Sequence, residues 1–401
     1  MIRRLLNRML APRHPWRVVG FSEISEMYLS SFLRTFSIGM VGVFVPIYLY
    51  KNGYSITAIF LYYTLFYSFG IIADYLVAHL IAKIGPKHVM RMSFLVQMLF
   101  SVLLIHINNI PYALVLLALT GCIGSTLYFI SYHVDFSKIK NPANSGKEQG
   151  YMEIMQRSAA VLGPIAGGLL ATFVSPVATF AASAIALFIA TLILMLSPEP
   201  VRTKQIIRFK GLGIRKHWRD YASFSAMCGE GAISLIVWPI FLSLVVFTSN
   251  IYLRLGFVSS VSVLIAIVVA LPLGRLLDNK KGHAMIQYGT GINALVSIMR
   301  IGVTNMFGAL FVAFVNEPNT LVYRIAFFKG YYDRADDYPG YRIAFLTSNE
   351  MIADALRALT FFSFTLASLH YSPYIVCSGA FILAAVYSFC IRLERFPALK
   401  K

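Results

Sequence analysis

The run "MFGALFVAFVNEPNTLVYRIAFF", Met306 to Phe328, decides what kind of chain this is. It is long and apolar enough to cross a bilayer, which takes ~20 residues at ~1.5 Å each. Yet it holds Glu317 near its middle, flanked by Asn316 and Asn319, with Pro318 removing a backbone donor. A charge at mid-bilayer costs ~2.5–3.5 kcal/mol on insertion scales, so an embedded carboxylate points to function. A locally broken helix with an acid at mid-depth suits binding of a cation, a proton or a polar group of a cargo molecule.

The rest of the chain has the same character. Of 401 residues, 58% are hydrophobic and 13% charged, and the mean hydropathy is +0.70. A soluble domain is about half apolar and about a quarter charged, so the composition is that of a polytopic membrane protein. Twelve apolar runs are long enough to span: 22–49, 54–82, 89–107, 112–134, 150–173, 177–196, 222–247, 252–273, 284–303, 305–327, 344–368 and 373–392. They are continuous rather than alternating, which excludes a β-barrel, and hydrocarbon demands helices. The formal net charge of +18 does not indicate nucleic acid, because the Lys and Arg sit in short loops between apolar runs. Cys122, Cys228, Cys377 and Cys390 are scattered in apolar runs without a CxxC, as buried thiols are. No phosphate loop, HExxH or GxSxG appears, so neither ATP hydrolysis nor an enzyme is indicated, and no cofactor or metal is expected.

Basic residues set the orientation. Arg34, Arg157 and Arg357 fall inside spans, and Lys51, Arg254 and Arg300 at one set of ends; most of the 35 Lys and Arg gather at the other set. That side is expected to be cytoplasmic, with both termini inside and the chain in the cytoplasmic membrane. The expected segments are a basic leader (1–21), six spans (22–197), a basic linker (198–220), six more spans (221–392) and a tail (393–401). The halves repeat. Gly53 and Gly256, which follow a basic residue at a span end, are 203 apart; Ala82 and Asp278 are 196 apart; Glu153 and Glu350 are 197 apart. A duplicated six-helix unit places a binding site between the halves near mid-membrane.

Other embedded charges come in groups. "NEMIADALRALTFF" (349–362) puts Glu350, Asp354 and Arg357 on one helix face, where Asp354 and Arg357 can pair and Glu350 is a like-charge neighbour. Glu153 and Arg157 repeat the theme at i, i+4. Arg34 and Asp74 lie at similar depths in the first two spans, and an Arg34–Asp74 pair is expected from that. Glu23, Glu26 and Glu230 are expected at the mouth on the basic side. Tyr128, Tyr132, His133 and Asp135 end the fourth span, too little for a metal site. Trp238 and Pro239 lie midway along the seventh, where Trp238 is a candidate for stacking on a cargo although packing suits it better.

Two motifs resemble those of the major facilitator superfamily. "GRLLDNKKG" (274–282) is similar to the family's loop signature, with Gly274, Asp278 and Gly282; its first copy, "AHLIAKIGPK", keeps Leu80, Lys83, Gly85 and Lys87 but has Ala82 in place of the acid. "GYMEIMQRSAAVLGPIAGG" (150–168) resembles the family's fifth-span pattern through Gly150, Gly163, Pro164, Gly167 and Gly168. The resemblance implies an all-α membrane fold of two pseudo-symmetric six-helix bundles. It also implies secondary active transport of a small molecule by alternating access, coupled to protons or another ion. Gly85, Gly274, Asp278 and Gly282 would take part in gating. Gly163, Pro164, Gly167 and Gly168 form a packing face that can also bend, with Glu153 and Arg157 beside it. The candidate binding residues are Glu317, Asn316, Asn319, Glu350, Asp354, Arg357, Arg34, Asp74, Glu230, Tyr128 and Trp238. The fifth-span pattern inclines toward efflux of an amphipathic compound; the alternatives are import of a sugar, nucleoside or other polar metabolite, and a non-transporting receptor or assembly protein with this fold. The expected partners are substrate, coupling ion and lipid, with the chain a monomer.

Overall fold

The computed structural model describes residues 23–139, 145–196, 207–210, 212–247, 249–277, 282–336, 341–396 and 399. The expectations for the leader and for Asp278, and for the side chains of Glu153, Glu23, His133 and Asp135, lie outside the described residues.

Each of the twelve apolar runs becomes helix. The first, α1, runs in two pieces, Glu23–Gly42 and Val45–Lys51, interrupted where Pro46 opens the second. It is followed by α2 (Ile56–Ile84), α3 (Pro86–Ile105), α4 (Ala113–Ile139), α5 (Ser145–Phe173) and α6 (Pro176–Ile193). The second half is α7 (Trp218–Phe241), α8 (Ile251–Leu277), α9 (Gly282–Met299), α10 (Met306–Asp336), α11 (Arg342–Ala367) and α12 (Pro373–Cys390). Local chemistry sets several ends. Ser55 and Ser175 cap α2 and α6 by accepting the amide hydrogens of Ala58 and Ala178. Gly85, at φ +91°, turns α2 directly into α3, a backbone state only glycine takes without strain.

Among the described residues, nine helices are both long and apolar enough to cross a membrane. The remaining three, α9, α10 and α11, are long enough but too polar, and α10 and α11 carry the charges described below. Their polar faces turn inward, while Phe307, Phe311, Phe314, Leu359 and Phe362 stay exposed as a lipid-facing surface.

The helix pairings repeat. Within the first half the extensive contacts are α1–α5, α1–α6, α2–α4, α3–α4 and α3–α6. Adding six to every label gives the second half: α7–α11, α7–α12, α8–α10, α9–α10 and α9–α12. The halves meet chiefly along α2–α11 and α5–α8, which exchange under the same shift. The chain is therefore two six-helix bundles related by a pseudo-two-fold axis. Small and polar residues join helices inside each bundle: Ser37 to Ser183 across α1–α6, Gln97 to the Gly124 carbonyl across α3–α4, and Asn293 to Ser388 across α9–α12.

Apolar packing is uneven along the axis. At the end holding Tyr48, Phe180, Tyr252 and Phe364, the far side, one cluster unites both bundles. At the opposite end, the linker side, packing divides into separate clusters, one in the second bundle and two in the first, with Ile343 of α11 and Phe209 of the linker adding side contacts. The far side is thus sealed. Phe44 meets the Tyr252 ring edge-on, Lys51 lies over that ring, and Thr57 bonds Ser368.

Candidate functional site

Three groups of ionisable side chains occupy the interior. The first is built by α7, α9 and α10. Glu230, only 2% exposed, accepts hydrogen bonds from Ser234 at 2.7 Å and from the Tyr323 hydroxyl at 3.3 Å. Arg300 donates to Ser234 at 2.6 Å and lies 5.4 Å from the Trp238 ring centre and 5.9 Å from that of Phe381. Arg324 projects past Gly231, and its Nε makes no hydrogen bond. Glu317 lies half-buried within electrostatic reach of Arg324 and Arg300 from its own bundle and of Arg157 from α5 of the other. It faces protein, not lipid. Asn316 is buried beside it with its carbonyl oxygen unbonded.

Several expectations change here. Helix α10 is unbroken from Met306 to Asp336, with Pro318 inside it and buried. One missing donor is tolerated where neighbouring helices pack around the site. Asn319 donates to the Gly289 carbonyl at 2.8 Å, which makes it a tie between α10 and α9. Glu230 is a buried interior group rather than a residue of the mouth. Trp238 stacks on Phe241, meets Phe381 edge-on and carries Arg300 on its face, so its ring faces are used within the protein. Arg300 and Arg324 were not among the candidates. Arg324 follows Glu317 by seven residues and so shares its face, but it lies only three residues before the end of the apolar run at 327. The helix runs nine residues further, which puts Arg324 well inside.

The second group lies on the α2–α11 seam. Arg357 pairs with Asp354, reaches Glu350 at 3.6 Å, and lies 5.4 Å from the Tyr67 ring centre. Asp354 seats its carboxylate against Gly70, where a Cβ would lie 2.9 Å from its Cγ. One turn on, Asp74 is 3% exposed, within electrostatic reach of Asp354, Glu350 and Arg357.

The expected Arg34–Asp74 pair is absent. Arg34 stacks instead on Tyr128, 3.6 Å from the ring centre, and Tyr128 hydrogen-bonds Ser31. The reason is helix order: α1 packs on α5 and α6, whereas α2 packs on α4 and α11. Equal depth in adjacent spans does not make neighbours. This third group, Arg34 with Tyr128, belongs to the first bundle.

The linker-side ends are tied by buried ions. Lys87, after the Gly85 turn, pairs with Glu26 at 3.0 Å, both nearly inaccessible, so Glu26 too leaves the mouth. In the second bundle Asp220 binds Arg334 at 3.2 Å and accepts the Arg395 amide at 2.7 Å. Gly282 begins α9 against Leu399, and Gly274 lies in α8.

The α5 glycines are contact surfaces. A Cβ on Gly163 would meet the Phe36 carbonyl of α1 at 2.7 Å, and one on Gly168 the Tyr252 carbonyl of α8 at 2.8 Å. Gly167 faces the Met40 carbonyl, and Gly256 of α8 answers with the Pro164 carbonyl. One stripe of α5 thus holds α1 and the other bundle together.

A sequence model described as Major Facilitator Superfamily matches residues 27–328. The fold resembles a crystal structure of a mutant form of the nucleoside transporter NupG, with a TM-score of 0.68 and 13% identity, covering 95% of this chain and 100% of that one. Comparison with curated proteins finds no match.

Proposed function

The chain belongs to the major facilitator superfamily, and we propose that it moves a polar small molecule across the cytoplasmic membrane by alternating access, driven by protons. The arrangement of Glu317, Arg324 and Arg157 carries this reading. A carboxylate and a guanidinium with spare donors stand on one bundle, and a second guanidinium approaches from the other. A cargo with both donor and acceptor groups would bridge them, and its binding would depend on how the bundles are set. The sealed far side and the divided apolar packing of the linker side suit one state of such a cycle.

The charged lining favours a polar cargo over an amphipathic one. Export rests on the α5 pattern, and its glycines serve close helix packing here. Nucleosides, the cargo named for NupG, carry the required donors and acceptors and lead the compounds to test. A receptor or assembly protein of this fold would tolerate neutral interior charges.

The decisive experiment combines a thermal-shift screen of purified protein against nucleosides, sugars and amino acids with transport of the hit into proteoliposomes under an imposed pH gradient. Glu317→Gln is expected to lower transport by about 10-fold or more, since a charge-assisted hydrogen bond contributes ~1.5–3 kcal/mol. Unchanged transport and an unchanged hit-induced shift in this variant would overturn Glu317 as the cargo carboxylate.

A further inference from the structure

We propose that the α2–α11 seam is a proton-binding site, in which Asp74 of one bundle and Asp354 of the other share a single exchangeable proton. The inference rests on the proton-driven reading above for its role in transport, but the site itself is read from geometry.

The seam changes character along its length. From the far side inward it runs Thr57 with Ser368, Phe60 with Phe364, Thr64 with Thr365, and Tyr63 and Tyr67 with Phe361. Every pair is neutral. Then Gly70 receives the Asp354 carboxylate, and Asp74, four residues later on the same face of α2, is buried within electrostatic reach of Asp354 and Glu350. The groups facing this point are Tyr67 from α2, Thr126 and Cys122 from α4, Glu350, Asp354 and Arg357 from α11, and Cys228 from α7. With Asp74 itself, the site holds three carboxylates and one cation.

That cation is already engaged. Arg357 pairs with Asp354, reaches Glu350, covers the Tyr67 ring and extends toward the Cys228 carbonyl. Asp74 is left with its Oδ2 making no hydrogen bond, in a side chain 97% withdrawn from solvent (3% exposed). Like charges in one buried site repel, and a buried charge must be paired or neutralised. A proton held between the two bundles removes the repulsion and satisfies the free oxygen. A metal ion fits less well. A hard cation wants six or more oxygen ligands; α2 and α11 are unbroken helices with no freed carbonyls, and no metal-binding cluster of His, Cys, Asp and Glu occurs among the described residues.

The position gives the proton its effect. It sits where the neutral seam ends and the linker side begins. When water enters, the carboxyl O–H bond breaks, the proton passes to water, and two carboxylates remain facing each other across the bundle interface. Their repulsion then favours parting of α2 from α11; rebinding of the proton favours closure.

The test reads protonation without cargo. The thermal unfolding midpoint of purified protein in nanodiscs is measured from pH 5 to pH 9, in sodium chloride and in choline chloride. Because the packed seam holds a proton that the separated seam releases, the midpoint should fall as pH rises. Asp74→Asn should flatten that fall and raise the midpoint at the alkaline end; Asp354→Asn should also flatten the fall while lowering the midpoint at every pH, because it breaks the pair with Arg357. A full pH dependence retained in both variants overturns the proposal. So does a sodium-specific stabilisation that Asp74→Asn removes, which would assign the site to a metal cation. Failure to find a transported compound would bear on the transport reading alone, because this readout needs none.

Discussion

Lys87→Ala is expected to destabilise the first bundle by about 1.5–3 kcal/mol, the usual contribution of a hydrogen bond between charged groups. The Glu26 carboxylate would lose its 3.0 Å bond from the ammonium at a place where its side chain is only 3% exposed. Unfolding in detergent, followed by circular dichroism, measures the loss. The paired replacement Glu26→Gln with Lys87→Met should recover most of it, since an apolar or neutral pair avoids the desolvation that the ions incur. A Lys87→Ala midpoint equal to that of the parent would mean that the Lys87–Glu26 bond adds nothing to the stability of the first bundle.

Gly256→Leu should have a larger consequence, on both structure and transport. A Cβ at 256 collides with the Pro164 carbonyl oxygen and lies 3.1 Å from its carbon, both backbone atoms that no side-chain motion can clear. Helices α5 and α8 would have to separate, opening the far-side seal next to Tyr252. The expected result is loss of transport together with labelling, by a membrane-impermeant thiol reagent, of a cysteine placed at Tyr48, which is buried behind the seal, in a variant otherwise lacking cysteine. Gly379→Leu on α12 is the control, because nothing lies within 4 Å of its Cβ position; it should leave both readouts unchanged. Equal behaviour of the two variants would show that the glycine contact is dispensable.

The architecture was legible because lipid simplifies the physics. Continuous apolar runs had to be helices, and recurrence of Gly53 at Gly256 and Glu153 at Glu350 revealed the duplication. Interior partners were less legible. Depth along a span can be counted, but which helices touch follows from the bundle's handed packing, and so Arg34 and Asp74, equal in depth, lie on helices with different neighbours. Helix length hid Arg324, and a single proline suggested a break that the surrounding helices suppress. Asp74 was visible as an embedded acid; its relation to Asp354 was not, since the two are 280 residues apart and meet only when the halves come together.

The two seams between the bundles exchange under the pseudo-two-fold axis, yet they are made of different material. One is backbone laid on backbone, Gly256 against the Pro164 carbonyl and Gly168 against the Tyr252 carbonyl; the other ends in carboxylates. Contacts of the first kind have a short range and no charge to adjust, so they act as a fulcrum. Those of the second kind change strength with a single proton, so the rocking stroke should be widest there. The molecule would then swing like a door hung on α5 and α8, its free edge at α2 and α11.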